Sequence, residues 1–258
     1  MPARSSSAKK WRSRVLHQAN VRCMMQKLDG RFSTPLGIRL TARDPGEIFK
    51  WFIVSILFGA RISEVIVLHT YQAFEKAGLL SPFAIQKAGW DRLVEVLDRG
   101  GYVRYDFKTA TKLLEASKAV LDRYGGDLNL VHAGAASPRD LEELLKDISK
   151  GIGEVTVNIF LRELRGIWQK AEPLPSELVL MASRNIGIIP AAMKDREQVL
   201  WLLKKKWTGE GMQMKYFPDF EAALLRLGKD FCKKAACERC VVQDTCSVRK
   251  KTGGSHRV

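Results

Sequence analysis

Residues 141–164 read LEELLKDISKGIGEVTVNIFLREL. Apolar residues recur at helical spacing up to Ile148 and again after Glu154, so the stretch predicts two helices joined at Lys150-Gly151-Ile152-Gly153. Glycine on each side of Ile152 permits close backbone approach and positive φ. Ile152 is expected to turn inward and lock the two helices together. The N–H groups that open the second helix, around Gly153 and Glu154, are expected to face outward, where they form a ready anion site beside Lys150. A plain helical hairpin with no ligand is the simpler alternative.

The sequence on either side is also helical. Asp44-Pro45-Gly46-Glu47 supplies an N-cap, a first-turn proline and an early acid, and the apolar run from Ile48 to Phe58 predicts a buried central helix. Ser63-Glu64 opens a helix through Phe74, and Asp91 to Leu97 forms a short one before Gly100-Gly101. Asp106 to Tyr124 is longer and stops at Gly125-Gly126; Ser137-Pro138 starts the first helix of the hairpin. Further helices are expected from Ser176, between Pro190 and Trp207, and from Asp219 to Phe231. No stretch alternates with period two for long enough to argue a sheet. The fold class is all-α.

Four of the five cysteines crowd near the C-terminal end as Cys232, Cys237, Cys240 and Cys246, spaced C-x4-C-x2-C-x5-C. Loops this short disfavour disulfides within the group. Four-cysteine zinc sites use two C-x2-4-C knuckles separated by a longer loop, whereas here one C-x2-C is flanked closely by single cysteines. That spacing favours a [4Fe–4S] cluster, with zinc and a redox pair as the alternatives. Cys23 stands apart and reads as a small buried apolar residue. Clustered reduced thiols imply a reducing compartment.

The 258-residue chain carries 43 Lys+Arg against 28 Asp+Glu, a net charge of +15. The excess is concentrated in Arg4, Lys9, Lys10, Arg12, Arg14, Arg22 and Lys27, in Lys204-Lys205-Lys206, and in Arg249-Lys250-Lys251. Such a field selects a polyanion, nucleic acid first. No apolar run approaches the roughly 18 residues of a membrane span, so no membrane is expected as partner. Residues 1–28 are expected to form a basic disordered arm, although an organellar targeting segment has a similar composition.

These features resemble the endonuclease III superfamily of helix-hairpin-helix DNA glycosylases. The turn is similar to that family's L-P-G-V-G-x-K-T-A motif, and the cysteines to its C-x6-C-x2-C-x5-C, with two fewer residues in the first loop. Phe49-Lys50-Trp51-Phe52-Ile53-Val54-Ser55-Ile56-Leu57-Phe58-Gly59-Ala60-Arg61 resembles its F-x-x-L-I helix and following turn; Tyr105-Asp106-Phe107-Lys108-Thr109-Ala110 resembles its Y-N-x-K-A helix start. The matches fall in family order over residues 45–246.

The resemblance implies a two-lobed fold: a six-helix lobe over 61–170 ending in the hairpin, and a second lobe of 29–60 plus 171–258 carrying the [4Fe–4S] loop. It implies a monomer, cytoplasmic or nucleoid-associated, that binds double-stranded DNA through Lys150, Gly151, Ile152, Gly153 and Glu154. Arg61 and Tyr105 are implied to act near an extruded base. The activity implied is that of a DNA N-glycosylase in base-excision repair; the alternative is a non-catalytic iron–sulfur protein that recognises damaged or structured DNA. The family's nucleophilic lysine falls at Val155 and its aspartate at Pro175, which excludes lyase chemistry by that lysine. Glu177 and Glu172 are the nearest acids and the candidate catalytic residues.

Overall fold

The computed structural model describes residues 21, 23–28, 30–244 and 246–248. Among these residues the chain is helical without strands; the one extended pairing is an isolated bridge between Arg165 and Trp168. Backbone contacts divide the chain into two compact units, Phe32–Pro173 and a second made of the described residues up to Arg31 and from Leu174 onward.

In the first unit, α1 (Pro45–Phe58) is the axis. Its N-cap Asp44 accepts from the Glu47 N–H at 2.9 Å, and Pro45 takes the first helical position, where the missing N–H costs nothing. Ile48, Phe49 and every residue from Trp51 to Leu57 are buried, so this helix is enclosed on all sides. Each such large side chain contributes about 1.5–3 kcal/mol on burial.

Around it lie α2 (Glu64–Lys76), α3 (Pro82–Arg99), α4 (Asp106–Tyr124), α5 (Asn129–Gly134), α6 (Pro138–Lys146) and α7 (Glu154–Leu164). The Trp51 indole N–H donates to the Phe160 carbonyl at 3.1 Å, and the Phe52 and Phe160 rings meet edge to face at 5.2 Å. These contacts place residues 32–60 in the same unit as the hairpin, whereas the sequence assigned 29–60 to the other lobe. The α1–α7 packing is the reason: α1 is too apolar to leave the core that α7 completes.

The end of α7 is tied by buried polar groups. Glu163, fully buried, accepts from the Phe32 and Ser33 N–H groups at 3.1 and 3.3 Å and from the Ser33 hydroxyl at 2.7 Å. Arg165, also buried, donates to Glu172 and to the Pro173 carbonyl, both at 2.8 Å.

Helix α3 begins nine residues before the expected Asp91, at a Ser81 cap followed by Pro82. Gly89, with φ at 75°, kinks it and splits its apolar periodicity, which hid the first half.

The second unit contains helical residues 23–28, α8 (Glu177–Asn185), α9 (Arg196–Gly209) and α10 (Phe217–Arg226). α10 runs on into a π-helical turn at Leu227–Cys232, where the sequence implied regular helix to Phe231. Trp207 stacks on Phe220 at 4.9 Å in the core, with Leu203, Leu224, Leu227 and Val242 around them.

The last part of the basic arm expected through residue 28 is folded. Residues 23–28 are helical, and Val21 and Met24 insert into this core because they share one helical face. Arg4, Lys9, Lys10, Arg12, Arg14, Arg22 and the triplet Arg249-Lys250-Lys251 lie outside the described residues. No helix among the described residues is long and apolar enough to cross a membrane.

Candidate functional site

The hairpin turn is built from both of its helices and from α4. Ser137 caps α6, accepting from the Asp140 N–H at 3.1 Å, and the chain leaves α6 through Asp147. Arg123 on α4 grips that exit, reaching the Asp147 carboxylate at 2.8 Å and its carbonyl at 2.9 Å. Ser149 donates its hydroxyl to Glu115 on α4 at 3.0 Å, and its carbonyl accepts from the Ile152 N–H at 3.1 Å. Ile152 is only 4% exposed, so it does lock the turn inward.

Gly151 sits at φ 88°, a conformation that side chains strain to adopt. Gly153 does not: its φ of −110° is extended, and a Cβ there would meet nothing within 4 Å. Only one of the two glycines is therefore required by backbone geometry.

Gly153 is the N-cap of α7 and supplies no side-chain cap. The first intrahelical bond runs from the Val157 N–H to the Gly153 carbonyl at 3.1 Å, so the preceding first-turn amides have no helical acceptor. Gly153, Glu154 and Val155 are exposed, as are Lys150 and Gly151 on the approach. Val155, 62% exposed, presents an apolar side chain where the resemblance placed a nucleophile.

Sequence reasoning missed Lys112. A Cβ on Gly151 would stand 3.1 Å from its Cε and 3.6 Å from its Nζ, so the ammonium lies against the turn. Burial lowers its pKa, and among the described residues no carboxylate acts to raise it again. Its separation in sequence from the turn left no local signal; only the register of α4 against the hairpin brings it there.

The other expected residues of this unit behave differently from one another. Arg61 is exposed in the segment after α1. Tyr105 is half-buried at the start of α4, with the Arg104 guanidinium 5.5 Å from its ring. Its neighbour in sequence, Tyr102, is a core residue: its hydroxyl donates to the Leu57 carbonyl at 2.8 Å, and burial pushes its pKa up to about 12. Glu172 is held by Arg165 at 2.8 Å.

Glu177 belongs to the second unit and lies in the first turn of α8, exposed and paired with Arg196. Pro175, between these two acids in sequence, is buried. Both candidate acids are thus engaged with arginines, and they fall in separate compact units.

The cysteine loop follows from the π-helical turn. Widened i, i+5 bonding appears in Lys233 N–H to the Gly228 carbonyl and Ala236 N–H to the Phe231 carbonyl, both 2.9 Å. This brings Cys232 out of register with α10 and toward the loop. Gly228 makes it possible: a Cβ there would lie 2.2 Å from the Leu178 carbonyl oxygen of α8.

All five cysteines are free thiols. Burial raises the pKa of Cys232, and the charges of Cys240, Cys246 and Cys237 raise it further. Cys240 is raised by burial and by Cys246, Cys237 and Cys23. Cys232 and Cys240 pack against the core, and Cys246 donates to the Asn185 carbonyl at 3.4 Å. Cys23, half-buried, donates to the Val241 carbonyl at 3.0 Å, so it packs behind the loop as an apolar residue with one weak hydrogen bond.

The four thiols are electrostatic neighbours, yet among the described residues no three metal-ligating side chains converge tightly enough to hold a single ion. One zinc ion needs every sulfur about 2.3 Å from a common point. A cluster takes one thiolate at each corner and accepts a wider spread. The donor set, four soft thiols with no carboxylate or histidine among them, fits iron–sulfur ligation.

No protein-family model matches the chain, and no curated protein matches it either.

Proposed function

We propose that the chain is a duplex-DNA-binding protein of the base-excision-repair type, similar to the iron–sulfur branch of the endonuclease III superfamily. The observation that carries this reading is the turn at 150–153. Exposed amides at the uncapped start of α7, exposed Lys150 in the turn and the Lys112 ammonium against Gly151 belong to one short turn of a chain with net charge +15. A backbone phosphate supplies the acceptors those donors lack, independent of sequence. Cys232, Cys237, Cys240 and Cys246 would hold a [4Fe–4S] cluster, which bound there would order the loop and carry electrons if its potential is suitable.

Two readings of the chemistry follow. In one, a base is extruded and its glycosidic bond hydrolysed, with Glu172 or Glu177 stabilising the sugar cation; in the other the protein binds without cleaving. The ion pairs of both acids favour the second, because a carboxylate paired with arginine opposes less positive charge at a sugar. Neither reading includes the family's lysine-based lyase step, since Val155, at the position the resemblance gives that lysine, carries no nucleophile.

The test is a panel of duplexes containing uracil, oxidised pyrimidines, alkylated purines or mismatches, incubated with pure protein and then treated with alkali. Strand breaks that vanish in Glu172→Gln or Glu177→Gln establish the glycosylase. Saturable binding across the panel without breaks establishes the non-catalytic reading. Absence of any salt-dependent duplex binding removes both.

A further inference from the structure

Between α2 and α3 a groove of about 400 Å³ opens on the surface of the Phe32–Pro173 unit, and no residue of the hairpin turn lines it. From α2, His69, Gln72 and Lys76 line it at helical spacing, with Ala73 and Ala77 forming the floor. From α3 come Arg92 and Arg99, seven residues apart and therefore on one face.

Glu95, midway between the two arginines, bonds both guanidinium groups. It fixes their direction while using one terminal nitrogen of each, Arg92 through Nη1 and Arg99 through Nη2. The other N–H groups of each fork stay available to a ligand. Lys76 makes no ion pair among the described residues. Three cations thus line the groove, two of them bound to Glu95, and His69 and Gln72 add further hydrogen-bonding groups.

We propose that this groove binds a phosphate-bearing anion. The alanine floor leaves the volume, and pre-oriented guanidinium forks match phosphate oxygens better than single ammonium groups do. The lining has no Phe, Tyr or Trp on which a base or sugar ring could rest. Recognition is therefore of the phosphate groups themselves, whether in a free oligophosphate or along a nucleic-acid backbone.

Titration calorimetry of the full-length protein with tripolyphosphate at low salt tests this. Saturable binding is expected, weakened about tenfold or more in the Lys76→Gln/Arg99→Gln variant, whose exposed side chains leave the fold unchanged by circular dichroism. Duplex competition then separates the two sources. If duplex displaces tripolyphosphate and the double variant also loses duplex affinity, the phosphates are those of nucleic acid. If duplex affinity is unchanged, the ligand is a free oligophosphate. No saturable binding, or equal affinity in the double variant, would overturn the proposal.

Discussion

The turn at 150–153 and the loop at 232–246 are both short and polar-edged, but protein side chains brace the first far more than the second. Arg123 and Glu115 of α4, with the inward Ile152, hold the hairpin. The cysteine loop has 3-10 and π turns and a few backbone bonds, with four thiols that repel one another once charged. A site completed by its own side chains is preorganised for a ligand that comes and goes. A site left with mutually repelling donors is stable only when something positive sits among them.

The widest separation of the two regions is expected from removing a thiolate of the proposed cluster. Cys240→Ser should give protein with less iron and weaker visible absorbance, and protease should cut first within 174–248 while 32–173 resists. Structural zinc in zinc-finger peptides supplies about 10 kcal/mol or more of folding free energy, so on the cluster reading the loss should exceed that from any single substitution at the hairpin. Parent protein that is colourless and iron-free, yet shows the same protease resistance throughout, would dismiss the contrast.

Gly228→Val attacks the same unit without touching a thiol. Its Cβ would overlap the Leu178 carbonyl oxygen, and backbone cannot swing aside as a side chain does. A loss of about 3 kcal/mol is expected in denaturant unfolding, with iron content falling in parallel because the π turn that delivers Cys232 is displaced. Retained iron at lowered stability would show that the loop does not depend on this turn.

At the hairpin the two glycines should part company. Gly151→Val forces a β-branched residue to φ 88° and against Lys112, at a cost of about 1–3 kcal/mol. Gly153→Val has neither strain nor clash, so its stability should change by less than about 1 kcal/mol. Both should weaken duplex binding, because either side chain covers the amides that open α7. Equal stability of the two variants would contradict the geometry; unchanged duplex affinity in Gly153→Val, at matched salt, would contradict the phosphate reading.

How far the sequence was legible follows the same line. Caps and stops, such as Asp44-Pro45, Ser137-Pro138 and Gly125, marked α1, α6 and the end of α4 because their physics is local. So did the hairpin, whose turn residues are adjacent. What escaped notice depended on packing. The front of α3 was hidden by its Gly89 kink, residues 23–28 by their basic neighbours, and the π turn because its widened bonds answer to Leu178 in another helix. Among candidate site residues, Gly151 and Ile152 were readable. The arginine partners of Glu172 and Glu177, and the arrival of Lys112, were not, since each depends on how separate helices meet.

Lys112 offers the smallest effect and the finest discrimination. Its folded pKa is lowered by burial, so the unfolded chain holds the proton more tightly and the charged side chain opposes folding. Stability should accordingly rise with pH across the interval between the lowered and the ordinary lysine pKa. Lys112→Met keeps the aliphatic cover over Gly151 and deletes the charge. It should unfold at slightly higher temperature than the parent, lose that alkaline rise, and bind duplex several-fold more weakly, with a salt slope smaller by about one. Opposite signs for stability and affinity are what a charge kept for a ligand produces. A lysine serving only to pack would leave affinity unmoved, and one paired within the protein would cost stability when removed.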